Sequence, residues 1–346
     1  MKKIVSVVLA LILVLSLAAC GGGGTTGPSS TINNTATNTA ESNTAQEDSK
    51  GNAVENTAST ENTATQPADN GSKENDSKDN DKSDTSKDNP YTIADEVLVD
   101  DDNCKFTIVS GQNAPYDYVE FKVLAENKTA DKTLDFSIDN VAVNGWAIDP
   151  YFYTTVTAGK KTNDKLEFDL DDFKACGFDT ADKIEFTLRV YDDKDWSADD
   201  FVNEKYTIYP TGMSDADVKS PDRPTSKDEV VIVDDDNCTM IILGPEDDDW
   251  GYSLAVYLEN KTDSPAYFNM DEVSVNGFMI DPFFSETIPA GKKALSSISF
   301  SNSDLEENDL KEEDLEEMEF KLRVYDDEDW MKPDYVADTF TYTIKK

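Results

Sequence analysis

Histidine is absent from all 346 residues. That removes Ser-His-Asp and Cys-His nucleophilic mechanisms and every histidine-ligated metal site. Positive charge is scarce: 31 Lys and Arg stand against 72 Asp and Glu, for a formal net charge of −41. Phosphate recognition rests on clustered Lys and Arg, so nucleic acid is a poor partner. Only four cysteines occur, with no Cys-x-x-Cys or zinc-type spacing among them. Hydrophobic residues make up 38%, low for a chain packed along its whole length, so part of it is expected to lie outside any core. No apolar run reaches the roughly 20 residues that span a bilayer.

One shorter run is present. Lys2 and Lys3 precede residues 4–17, which are apolar except for Ser6 and Ser16. A positive start followed by a short apolar core fits a secretory signal. The run ends Leu17-Ala18-Ala19-Cys20, which resembles the lipobox of bacterial lipoproteins. The resemblance implies a lipoprotein signal peptide over residues 1–19 and a diacylglycerol on the Cys20 thiol. The chain would then be anchored to a membrane by lipid rather than spanning it.

Residues 20–90 contain no aromatic side chain, and Ile32 and Val54 are their only aliphatic residues larger than alanine. Asn-Thr-Ala recurs five times there, before the composition turns to Lys, Asp, Asn and Ser. Such a segment cannot bury enough apolar surface to offset chain entropy, so it is expected to be a disordered low-complexity tether.

Beyond the tether the chain repeats itself. Val99-Asp100-Asp101-Asp102-Asn103-Cys104 returns as Val233-Asp234-Asp235-Asp236-Asn237-Cys238. Glu126-Asn127-Lys128-Thr129 returns from Glu259, Val143-Asn144-Gly145 from Val275, and Ala158-Gly159-Lys160-Lys161 from Ala290. Arg189-Val190-Tyr191-Asp192-Asp193 returns from Arg323, and a tryptophan follows three residues on in each copy. This predicts tandem domains over residues 91–210 and 226–346, joined by a short, semi-rigid, proline-containing linker over residues 211–225.

Within each copy the pattern has period two. Val119, Phe121, Val123 and Ala125 alternate with Glu120, Lys122 and Leu124, and Ile184, Phe186, Leu188 and Val190 alternate with Glu185, Thr187 and Arg189. Alternation of this kind predicts antiparallel strands with one face on a core and the other in water. Short strands between Asn, Gly, Pro and Asp turns predict an all-β sandwich or small barrel. The acidic stretch 304–319 of the second copy is the exception, with one or two helical turns expected after Ser303.

The lipobox, the tether and the Glu-Asn-Lys-Thr, Val-Asn-Gly and Ala-Gly-Lys-Lys motifs together resemble Gram-positive lipoproteins with tandem telokin-like, immunoglobulin-like extracellular domains. The resemblance covers roughly residues 92–346 and implies two tandem immunoglobulin-like sandwiches. The Cys…Trp…Cys spacing of antibody domains is missing.

Candidate site residues fall into two groups. Trp146, Tyr151 and Tyr153 surround Asp149-Pro150, and Trp196 and Trp330 follow acidic loops. Such rings can stack on a sugar or anchor a protein partner, or they can close one end of a sandwich; the shared place of Trp196 and Trp330 suggests packing. Asp192, Asp193 and Asp195, with Asp326, Asp327 and Asp329 in the second copy, are weak Ca²⁺ candidates, since loops between strands can supply hard oxygen ligands. They equally form a solvated acidic surface, and no EF-hand spacing is present. Cys104 and Cys238 hold equivalent positions whereas Cys176 has no counterpart, which favours buried free thiols over a Cys104–Cys176 bridge.

With no other cofactor indicated, the expectation is a non-catalytic binding module. It would sit on the extracellular face of a bacterial cytoplasmic membrane, with a protein or carbohydrate ligand. The alternatives are a structural or stress-related envelope lipoprotein without a discrete ligand, or a carbohydrate-processing accessory.

Overall fold

The computed structural model describes residues 89–345, except Trp196 and Asp249. The expected signal peptide, Cys20 and nearly all of the tether lie outside the described residues.

The first repeat contains β1 (Ala94–Asp100), β2 (Cys104–Ala114), β3 (Tyr118–Asn127), β4 (Leu134–Val143), β5 (Trp146–Ala147), β6 (Tyr153–Val156), β7 (Lys161–Asp169), α1 (Leu170–Ala175), β8 (Ile184–Asp192) and β9 (Val202–Ile208). The second contains β10 (Val230–Asp234), β11 (Cys238–Glu246), β12 (Gly251–Asn260), β13 (Ala266–Val275), β14 (Phe278–Met279), β15 (Ser285–Ile288), β16 (Lys293–Ser301), α2 (Asn302–Glu307), β17 (Glu317–Asp326) and β18 (Val336–Thr343). The fold is all-β, with two tandem antiparallel sandwiches built from open sheets.

In the first repeat one sheet runs β1-β2-β3-β7, and the other runs β5-β4-β8-β9 with β6 also on β4. The second repeat copies this as β10-β11-β12-β16 facing β14-β13-β17-β18, with β15 on β13. The alternating residues explain the layering. Val119, Phe121, Val123 and Ala125 of β3 are fully buried, as are Ile184, Leu188 and Val190 of β8. Phe106 of β2 stacks on Phe136 of β4 at 6.1 Å, joining the two sheets across the core.

The repeated motifs prove to be fold-makers. Asn144 and Gly145 both have positive φ, 50° and 88°, as do Asn276 and Gly277 at 50° and 83°. Positive φ at both central residues is the type I′ hairpin condition, and glycine meets it without steric cost. Asn127 is buried; its Nδ2 donates to the carbonyls of Lys132 and Val156, and its Oδ1 accepts from Thr129. Asn260 repeats this with Ser264, Ile288 and Thr262. Each asparagine thereby satisfies backbone groups on separate connections that would otherwise be buried unpaired.

The helical expectation needs correction on two points. The helix over Asn302–Glu307 is capped by Ser301, three positions before the stretch and two before Ser303, a 3-10 turn follows at Glu312–Asp314, and β17 begins already at Glu317. It is also no exception, because the first repeat has α1 at the same place, capped by Asp169.

The linker is likewise more than a spacer. Pro210, just before it, accepts from the amides of Thr92 and Ile93, and Pro221 within it accepts from Lys293 Nζ. Arg223 pairs with Glu229 and lies over the Tyr257 ring. Strand β5 pairs in parallel with β16, with Trp146 opposite Lys293. The second sheet of the first repeat therefore continues into the first sheet of the second, as one nine-stranded sheet.

Candidate functional site

The aromatic stretch around Asp149-Pro150 does not act as one group. Trp146 is corrected: it is fully buried, with Tyr257 edge-on at 6.0 Å and Lys293 Nζ 5.3 Å from its ring centre. A large ring at the start of β5 finds its cavity in the neighbouring repeat, so it cannot serve as an open platform. Phe152 packs on Phe106 within the core.

Tyr151 and Tyr153 remain outside, 56% and 57% exposed. They flank Phe152, which packs into the core, so both rings are left pointing away from it. The segment is held at both ends. Tyr153 begins β6 on β4, whereas Tyr151 bridges to Glu167 of β7 in the opposite sheet. Tyr118, at the start of β3, meets the Tyr151 ring edge-to-face at 6.4 Å. The hairpin tip before it carries Tyr116, almost wholly exposed.

Carboxylates border these rings. Burial pushes the Asp172 carboxyl up to about 6, with Asp169, Asp171 and Asp149 adding repulsion. Burial beside Asp139 raises Asp149 as well, although its surface remains substantially exposed. Thr155 donates to Asp135 next to Tyr153. Rings beside carboxylates at an edge of the sandwich offer apolar faces to stack on and acceptors for hydroxyl or amide donors.

The second repeat keeps the frame and changes the chemistry. Phe283 takes the place of Tyr151, bridging to Ser299 and well exposed, and Ser285 stands where Tyr153 is. Trp330 is 77% exposed beside the equally exposed Met331, so packing over its loop is not what the structure shows. Trp196 lies outside the described residues.

The acidic motifs are largely engaged by the protein itself. Asp100 pairs with Lys128 and Lys105, which hold its carboxyl down to about 2. Asp101 accepts from the amides of Asn103 and Cys104. Asp234, Asp235 and Lys261 repeat the lysine pairing and the turn. Asp192 is paired with Lys132 at 2.7 Å, and Asp326 with Lys332 at 2.6 Å. Asp195 accepts from Ser197, and Asp329 lies 3.8 Å from Lys332. Asp193 uses its backbone amide on the Thr133 carbonyl, and the Asp327 amide does the same with Pro265. An ammonium thus sits where a cation would be held, and among the described residues no group of three or more acidic or thiol side chains is placed to hold a metal ion.

Arg189 is also paired. It bonds Asp200 through Nε and Nη2 and lies 5.1 Å from the Tyr191 ring centre; Arg323, Asp334 and Tyr325 repeat the arrangement. A cavity of about 500 Å³ opens beside Arg189, with Asp139, Lys205 and Glu328 in its wall. It is polar and lacks the aromatic rings. Cys104, Cys176 and Cys238 are free and buried, and burial raises all three thiols to about 12, which leaves them protonated.

No protein-family model matches this chain, and no curated protein matches it.

Proposed function

We propose that this chain is a lipid-anchored extracellular binding module that acts without catalysis and meets its ligand through Tyr151 and Tyr153. The observation that carries the reading is the exposed pair of rings on a segment clamped to both sheets. Binding surfaces gain most from rings that lose little freedom on contact. The ligand class is a carbohydrate or a protein segment with donors for Asp149 and Asp172. The lipobox residues support placement on the outer face of a bacterial cytoplasmic membrane.

Two experiments test this. In the first, the chain is applied to a glycan array and to an envelope pull-down beside Tyr151→Ala and Tyr153→Ala. Specific retention, cut about tenfold or more in both variants at an unchanged melting midpoint, is the expected result, since losing a stacked ring costs about 1–3 kcal/mol. Reproducible silence across both assays favours instead a structural envelope lipoprotein, a reading that the continuous sheet also suits. In the second, labelled palmitate is expected in the full chain and absent from Cys20→Ala; an unlabelled full chain removes the anchor.

A further inference from the structure

The joint between the repeats has a donor side and an acceptor side, and each repeat carries both. The first repeat donates β5 with Trp146, the Asn144-Gly145 turn and Glu185. The second accepts with the edge of β16, where Lys293 N bonds the Gly145 carbonyl, Lys292 pairs with Glu185, and Tyr257 meets Trp146.

The same residues recur where the joint does not use them. The second repeat has its own donor side. Phe278 and Met279 of β14 are 46% and 65% exposed, the Asn276-Gly277 turn is open, and Glu319 is exposed at the place of Glu185. The first repeat has its own acceptor side. Lys160 and Lys161 are exposed at the places of Lys292 and Lys293, and Leu124 stands half-buried where Tyr257 is. Strand β7 pairs with β3 on one side, and its other edge near Lys161 meets no strand among the described residues.

We infer that a second copy of this chain docks on these surfaces, with β14 of one chain pairing in parallel with β7 of the next in the manner of β5 and β16. Continuity with the joint inside the chain selects this occupant over another protein. Charge agrees, since Glu319 would face Lys160 as Glu185 faces Lys292. The contact is heterologous: it uses different patches on the two partners, so it propagates as an open row rather than closing on itself. It is weaker than the joint inside the chain, because Pro221 and Arg223 of the linker have no counterpart there. Chains tethered to one surface compensate through raised local concentration.

Cross-linking of the full chain tests this independently of any ligand. Met279→Cys and Asn163→Cys mark the two sides, and the native described thiols are buried. A bismaleimide applied to cells expressing the double variant should yield a ladder of dimers, trimers and longer forms. Cells co-expressing the two single variants under different tags should yield one heterodimer carrying both tags and nothing longer. Adding Phe278→Asp, or Lys161→Glu, to the double variant should reduce the ladder at least tenfold. A single variant that cross-links to itself would show a symmetric contact and overturn the proposal. A double variant without a ladder would overturn it as well.

Discussion

Trp146 and Phe278 hold the same place, just after the Asn-Gly turn at the start of the short strand that follows it. Trp146 is fully buried against Tyr257 and Lys293, whereas Phe278 is largely open. Backbone, turn and neighbouring glutamate are alike, so local structure does not make the difference. Position in the tandem does: the first repeat has a neighbour beyond β5, and the second has none beyond β14 among the described residues. One surface can thus be core in one copy and a free face in the other.

Charge compensation shows a second contrast. Asp192 and Asp326 are equivalent, but Lys132 reaches Asp192 from the β3–β4 connection, whereas Lys332 reaches Asp326 from the β17–β18 connection. The carboxylate kept its place and the ammonium moved. A lysine stem is long and flexible enough for either route.

The largest effect that would test the first contrast is Trp146→Ala. It should destabilise the protein by about 3–5 kcal/mol, whereas Phe278→Ala should stay within about 0.5 kcal/mol. Urea denaturation reads both, and an equal loss at the two sites would show that the joint adds nothing to burial. Next come the buried asparagines. Asn127→Ala and Asn260→Ala should each cost about 2 kcal/mol, because each strands buried carbonyls. Unequal values would show that the repeats differ inside as well as outside.

The third effect is centred on the second repeat. Burial lifts Glu286 to about 7, with Ser296 donating to it and Asp149 of the first repeat adding repulsion; Thr154 stands at its place in the first repeat. A folded carboxyl raised above its ordinary 4.5 favours the fold while protonated. That contribution is full below about 4.5 and is lost as pH climbs through about 7. The melting midpoint should therefore rise by a few degrees on going from pH 8 to pH 5, as a small differential free energy shifts it in a domain pair of this size. Glu286→Gln should flatten most of that rise. Asp172, raised to about 6, leaves a smaller slope of the same sign.

The smallest effects concern the lysines. Lys332→Ala should lower the midpoint more than Lys132→Ala, because the Asp326 side chain is only 1% exposed against 12% for Asp192. Millimolar Ca²⁺ against EDTA should leave the wild-type midpoint in place, and an upward shift with Ca²⁺ would mean that these aspartates exchange their ammonium for the metal.

Much of the fold was legible because strands write their burial with period two. Val119 to Ala125 and Ile184 to Val190 named their faces directly. The Asn-Gly turn was legible for a similar reason, since few residues tolerate positive φ. The candidate site was legible only in part. Tyr151 and Tyr153 could be named, but nothing in their order distinguished them from Trp146, the most hydrophobic-looking platform of the three. Tyr118 was missed as their partner; its place in the hairpin before β3 was the available signal. The acidic runs looked like possible ligands because Lys128, Lys132 and Lys261 reach Asp100, Asp192 and Asp234 from 27 to 60 residues away, whereas Lys332, only six residues from Asp326, was a local signal left unread.

Sequence by itself determined the tandem, the all-β class, the strand faces and the balance of charge, which is −14 over residues 91–210 and −21 over residues 226–346. Those properties depend on which residues occur and on short-range spacing. Tertiary structure alone decided which aromatic rings meet water, which carboxylates are already paired, and that one sheet runs through both repeats. Most of those depend on a partner supplied from a distant part of the chain, as Lys132 is for Asp192 and Tyr257 for Trp146. Burial and electrostatic pairing are properties of the space around a residue, and that space is assembled only when the chain folds.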